Sequence, residues 1–177
     1  MKIIVCGAGE VGSSIARQLS IENNDVTIVD QSSTLVRQIS DNIDVQGVVG
    51  HASRPDVLEL AGISDADMII AVTYADEVNM VACQVAHSLF NVPTKIARVR
   101  HQSYLMPIWA NLFSRAHMPI DVIISPEIEV AHAVTRRLQV PGALEMIPLI
   151  DDKVRLLGVR CGEDCPLVHT PIRQLTQ

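Results

Sequence analysis

Aromatic side chains are scarce in this 177-residue chain: one Trp, two Tyr and two Phe, 3% in all. Platforms that stack successive bases need several exposed rings along one groove, so single-stranded nucleic acid is excluded as the main partner. Positive charge is short as well. Fourteen Lys and Arg against 20 Asp and Glu leave a formal net charge of −6 and a pI near 5.4. Basic pairs such as Arg136-Arg137 stand alone, and no basic stripe is available to neutralise a phosphate backbone. No apolar run approaches the ~18 residues that a bilayer-spanning helix needs. Met1-Lys2 runs straight into an apolar strand pattern, so no signal peptide is expected. Cysteines number four, at Cys6, Cys83, Cys161 and Cys165. Two of them fall in segments that read as buried strand and helix, which points to reduced thiols and a cytosolic home.

Several chemistries are missing too. The histidines (His51, His87, His101, His117, His132, His169) show no paired ligand spacing, and Cys161-x-x-x-Cys165 lacks a second pair, so no metal site is expected. A short-chain reductase needs a Tyr followed four residues on by a Lys. Tyr104 is followed there by Ile108 and Tyr74 by Val78. A larger dehydrogenase needs a substrate domain, and the chain has no room for one. No catalytic residue is therefore expected, and the chain is not expected to be an enzyme.

What is present is a hydrophobic fraction of 48%, enough for a core. It is distributed as strand and helix signals in alternation. Short apolar runs at 2–5, 25–29, 45–49, 67–72, 94–99 and 121–124 read as strands. Helices are expected from Val11, from Ser32 or Ser33 to Asp41, from Pro55 to Ala61, from Ala75 to Asn91 with Pro93 as its stop, between Ser103 and Ala116, and from Pro126 to Gln139. The helix after Ala75 carries Val78, Val81, Ala82, Val85 and Leu89 near helical period, which predicts its buried face. This alternation predicts an α/β fold: a Rossmann-type doubly wound parallel sheet of six strands in the order 3-2-1-4-5-6. Pro141-Gly142 breaks the pattern. Ala143 to Ile150 and Lys153 to Arg160, joined by Asp151-Asp152, read as a hairpin that opens a small α+β C-terminal subdomain. The expected division is therefore 1–140 and 141–177.

The richest motif closes the first strand, Gly7-Ala8-Gly9-Glu10-Val11-Gly12. It is a G-x-G-x-x-G turn in a strand-to-helix setting, the fingerprint of dinucleotide binding. Gly7 permits the tight turn, Gly9 lets backbone approach a pyrophosphate, and Gly12 lets the helix pack closely. The helix N-terminus then presents N–H groups and positive dipole to phosphate. Asp30 follows at the end of the second strand, 18 residues after Gly12. A carboxylate there accepts the ribose hydroxyls and repels a 2′-phosphate, and the first arginine beyond it is Arg37. That pattern favours NAD(H) over NADP. Glu10 sits within the turn and would repel a third phosphate, which argues against ATP. Thr73-Tyr74 after the fourth strand reads equally as a cofactor contact or a simple turn. Arg98 after the fifth reads equally as a phosphate partner or an ordinary surface arginine, and His51 more readily as structural.

Residues 1–12, Gly62-Ile63-Ser64-Asp65-Ala66-Asp67, Thr94-Lys95-Ile96-Ala97-Arg98-Val99 and Ile124-Ser125-Pro126-Glu127 together resemble the RCK or KTN nucleotide-binding family of potassium-transport regulators. The resemblance covers residues 1 to about 140. It implies that Gly7 to Val11, Asp30, Thr73, Tyr74 and Arg98 hold the nucleotide. Family members with arginine at the place of Glu10 lean toward ATP, so Glu10 again favours NAD(H). The resemblance further implies a cytoplasmic regulator, peripheral on the inner face of the membrane. It would gate a Trk-type potassium transporter subunit and assemble into a dimer or larger ring. The Ile128, Ala131, Val134, Leu138 stripe is a plausible contact for that assembly, and burial against its own sheet explains such a stripe equally well. Members of the uptake branch generally carry two such halves, so this chain would be the first, cut inside the second subdomain. The readings set against the regulator are an NAD-dependent oxidoreductase and an ATP/ADP-responsive member of the same family.

Overall fold

A computed structural model describes residues 1–139, 143–150, 153–162, 165 and 174. It forms two compact units, Met1–Pro126 and Glu127–Gln177. The first holds a six-stranded parallel sheet in the order β3-β2-β1-β4-β5-β6. The strands are β1 (Lys2–Cys6), β2 (Asp25–Asp30), β3 (Gln46–Val49), β4 (Met68–Ala71), β5 (Thr94–Arg98) and β6 (Val122–Ile124). Helices α1 (Glu10–Ile21), α2 (Ser33–Ser40), α3 (Pro55–Leu60) and α4 (Asp76–Phe90) make the crossovers. The doubly wound Rossmann-type order expected from the sequence is the one observed.

Alternation along β1 shows how the sheet buries both faces. Ile3 and Val5 join one core with Val26, Ile28, Ile39 and Ala16. Ile4 and Cys6 join the other with Val29, Leu58, Ile63, Met80 and Cys83. Successive strand side chains point to opposite faces, so a strand covered on both sides must be apolar throughout. Burial pushes the Cys83 thiol up to about 12 and the Cys6 thiol higher still, where Cys83 and Asp30 add to the effect. All four cysteines are free, and these two are inert.

Two local expectations need correction. Residues 103–116 form no α-helix. They form two 3-10 segments, Gln102–Leu105 and Pro107–Phe113. Pro107 has no N–H and holds Met106 extended (φ −64°, ψ 138°), which splits the segment. The end of α4 is where it was expected, ahead of Pro93, with Asn91 as its C-cap in the left-handed conformation at φ 55°. Second, α4 is rotated from its expected face. Asn79, Met80, Ala82, Cys83 and Ala86 are buried, whereas Val81 and Leu89 are 43% and 58% exposed. Small side chains let the helix sit close on the sheet, and a buried Asn is needed there for the strand ends.

The second unit contains α5 (Pro126–Gln139) from Glu127 onward and an antiparallel hairpin of β7 (Ala143–Leu149) and β8 (Val154–Val159). The expected Pro141-Gly142 break and Asp151-Asp152 turn lie outside the described residues. Of the α5 stripe, Ile128 is half-buried and Ala131, Val134 and Leu138 are exposed. The hairpin strands expose Leu144, Ile147, Leu149, Val154, Leu156, Leu157 and Val159. Among the described residues no helix is long and apolar enough to cross a membrane.

Candidate functional site

The glycine turn lies at the carboxyl ends of β1, β2 and β4. Gly7 has φ +110°, a conformation that L side chains rarely adopt, and its amide donates to Val29 O at 2.7 Å. A Cβ on Gly12 would lie 1.8 Å from the Gly7 carbonyl oxygen, so the helix start and the turn require each other. Gly9 differs. A Cβ there would meet nothing within 4 Å, so backbone faces open space. Gly9 is also the N-cap of α1 and offers no side chain to the helix N–H groups. Backbone donors, a positive dipole end and room without a Cβ are what a bound pyrophosphate requires.

Asp30 stands beside this turn and braces it. One carboxylate oxygen accepts from the Ala8 amide at 2.7 Å and the other from the Ser32 amide at 2.8 Å. Each oxygen keeps a second lone pair. Asp30 therefore has a structural role, and it retains the capacity to accept hydroxyls.

The fourth and fifth strand ends join the same edge. Thr73 backbone lies 3.0 Å from where a Gly7 Cβ would be. The Arg98 guanidinium donates to Thr73 O at 2.6 Å. The residues alone left open whether Thr73 and Arg98 were site or surface; the fold sets Thr73 backbone against the glycine turn and Arg98 against Thr73. Tyr74 is 83% exposed, with the Arg100 guanidinium 4.5 Å from its ring centroid. His51 sits apart from these contacts, with Nδ1 2.8 Å from Ser53 Oγ. Glu10 and Val11 are exposed at the first turn of α1. A cleft of about 430 Å³ runs from Ala8, Gly9 and Glu10 along α1 past Ser13 and Arg17. Arg17 is a cation that the spacing from Asp30 did not bring into view.

Two buried polar residues beneath the strand ends were also missed. Asn79 is fully buried, and all its hydrogen-bonding capacity is used. Its Oδ1 accepts from the Thr73 amide at 2.8 Å and the Thr73 hydroxyl at 2.7 Å. Its Nδ2 donates to Thr73 O at 3.2 Å and Arg98 O at 2.9 Å. Asp76 is 6% exposed, and one oxygen accepts from the Arg100 and His101 amides at 2.9 and 2.8 Å. The available signal was two polar residues, one turn apart, at the start of a helix that follows a strand end. Among the described residues no cluster of three or more His, Cys, Asp or Glu could hold a metal ion.

A doubly wound parallel sheet with an uncapped glycine turn and a strand-end carboxylate defines a Rossmann-type domain. Residues 3–126 match the TrkA-N domain, and the chain belongs to that family. It is 60% identical over 177 residues to the Trk system potassium uptake protein TrkA of Azorhizobium caulinodans. That alignment covers all of this chain but 39% of the relative. Among solved structures, the fold is similar to the TrkA-N domain of Escherichia coli inner membrane protein ybaL, with TM-score 0.66, 19% identity, and 77% of this chain and 96% of that one covered. It is likewise similar to the GsuK channel bound to NAD, with TM-score 0.60, 19% identity, and 85% and 25% covered.

Proposed function

We propose that this chain is the nucleotide-sensing part of a cytosolic, non-enzymatic regulatory subunit that gates a membrane potassium transporter of the Trk uptake type. The observation that carries the reading is the open space at Gly9, at an uncapped helix N-terminus beside the Asp30 carboxylate. The potassium-uptake relative supports the biological setting.

In this reading the ligand is NAD(H). Gly7, Ala8, Gly9, Val11 and Gly12 hold the pyrophosphate through backbone, and Asp30 accepts the adenosine ribose hydroxyls. Thr73, Tyr74 and Arg98 form the opposite wall. Glu10 disfavours a third phosphate, and its replacement by Arg is expected to tighten ATP binding several-fold. Bound NAD(H) supplies no chemistry; it acts by binding one arrangement of the protein better than another, without which it shifts nothing. Residues 1–140 form the binding domain, and 141–177 open a smaller subdomain. The subunit works as a dimer or larger ring, peripheral on the inner face of the membrane, with the exposed α5 stripe as one contact.

The reading is tested by calorimetric titration of NAD+, NADH, ATP and ADP on one preparation. NAD(H) is expected to bind tightest. Tighter binding of ATP overturns the ligand assignment. Sustained NADH turnover with candidate oxidants, tracking the purified protein, overturns the regulatory one.

A further inference from the structure

Beneath Tyr74, one acidic side chain fastens two loops that approach from different strands. Asp76 is the first residue of α4 after its Ala75 N-cap, directly behind the Thr73–Ala75 loop. Its Oδ2 accepts the amides of Arg100 and His101 and so anchors the chain as it leaves β5. His101 in turn caps the first 3-10 segment, its Nδ1 2.6 Å from Ser103 Oγ. Glu77, the next residue of α4, accepts from the Tyr104 hydroxyl at 3.3 Å. The two 3-10 segments then carry Tyr104, Ile108, Trp109 and Leu112 around an apolar cavity of about 450 Å³.

Asp76 Oδ1 accepts no hydrogen bond among the described residues. It lies 3.7 Å from Arg100 Nε, and both atoms are buried without a hydrogen-bond partner among the described residues. The two charges already form an ion pair at that distance but no hydrogen bond, and a small rotation of the guanidinium would shorten the contact into one. What holds Arg100 away is its other contact, an NH2 donation to the Tyr74 carbonyl with the guanidinium over the Tyr74 ring. Arg100 thus has two competing partners, Tyr74 and Asp76 Oδ1. Tyr74 lies on the edge where the proposed nucleotide sits, and a ligand there competes for the same carbonyl and ring.

We infer that Arg100 and Asp76 form a latch that reports nucleotide occupancy at Tyr74 to the 3-10 segments 102–113; the inference rests on the nucleotide-sensing reading above. With Tyr74 free, Arg100 stays on it. With Tyr74 engaged by ligand, Arg100 turns onto Asp76 Oδ1 and the anchored strand exit moves with it. Asp76 and Arg100 are positioning residues, since neither contacts the ligand in this scheme.

The test uses the single tryptophan, Trp109, which is 54% exposed on the second 3-10 segment. Its fluorescence and the heat of NAD+ binding are measured on the same samples. In the wild type, the emission is expected to shift and saturate with the calorimetric Kd. Asp76→Asn keeps an oxygen for the two amides but turns an NH2 group toward Arg100 Nε, so the latch cannot close. It is expected to bind NAD+ and lose the Trp109 response. Arg100→Met leaves Asp76 and its anchoring intact and is expected to lose the same response, which covers the case of an Asn variant that does not fold. Heat of binding without a wild-type emission change, or a full response in either folded variant, overturns the latch alone. Absence of binding heat in the wild type overturns the nucleotide reading itself.

Discussion

Replacing Asp30 with Ala tests the ribose assignment, provided its two roles are separated. The carboxylate braces the turn through the amides of Ala8 and Ser32 at 2.7 and 2.8 Å. Hydrogen bonds to a charged group contribute about 1.5–3 kcal/mol each when buried, and Asp30 is half-buried, so the lower end applies. The loss of the brace should cost roughly 2–3 kcal/mol of folding stability, read as a lower Tm. If the same carboxylate accepts ribose hydroxyls, binding of NAD(H) weakens by a further ~1.5–3 kcal/mol, about 10- to 150-fold in Kd. A cycle with 2′-deoxy-NAD isolates the second term. The wild type should lose affinity when the hydroxyl is removed, whereas Asp30→Ala should bind both ligands alike. Calorimetry at a temperature where both proteins are folded gives the four constants. An equal penalty for the deoxy ligand in wild type and variant would refute the assignment and leave Asp30 a structural brace.

The two glycines of the turn should separate stability from binding. Gly9→Ala adds a methyl that meets no protein atom within 4 Å, so Tm should barely change while NAD(H) affinity falls at least tenfold. Gly12→Ala drives its methyl to 1.8 Å from Gly7 O, so thermal unfolding should show a loss of about 3 kcal/mol or more. At the opposite edge of the sheet, burial would raise the Asp121 carboxyl. The Lys95 ammonium at 2.8 Å and amide at 2.7 Å outweigh it and hold the carboxyl below its usual range. Its folded-state pKa is depressed, so its contribution is present above the ordinary carboxylate pKa and is lost as pH falls through the depressed value. The Asp121 side chain is 47% exposed, so solvent screens the pair, and Asp121→Asn should lower stability at neutral pH by only about 1 kcal/mol or less and flatten the acid limb of Tm against pH.

Much of the fold was legible because its signals are local. Apolar runs such as 67–72 separated by helix caps and stops report a sheet buried on both faces, and Ser32 caps α2 as its position suggested. The turn of Gly7, Gly9 and Gly12 and the strand-end Asp30 were legible because backbone conformation and spacing confine the choice of residue. The helix expected between Ser103 and Ala116 left out of account the conformational restriction that Pro107 places on Met106, which divides the segment. The face of α4 was misread because apolarity stood in for burial, while the helix buries Asn79 and leaves Leu89 exposed.

Asp76 and Asn79 left only the faint signal of two polar residues one turn apart at a helix start, and Arg100, an ordinary loop residue taken alone, left none. Their roles come from partners distant in sequence: Thr73 and Arg98 for Asn79, the Arg100 and His101 amides for Asp76, Tyr74 for Arg100. Periodicity and glycine spacing made the strand and helix succession and the glycine turn legible, because those depend on neighbours a few residues away. Which polar groups meet at the strand ends, and that Asp30 braces the turn it was expected only to accompany, was decided by tertiary structure. A parallel sheet brings together the ends of strands whose residues are tens of positions apart, and hydrogen bonds form only between groups that the fold places within about 3 Å of each other.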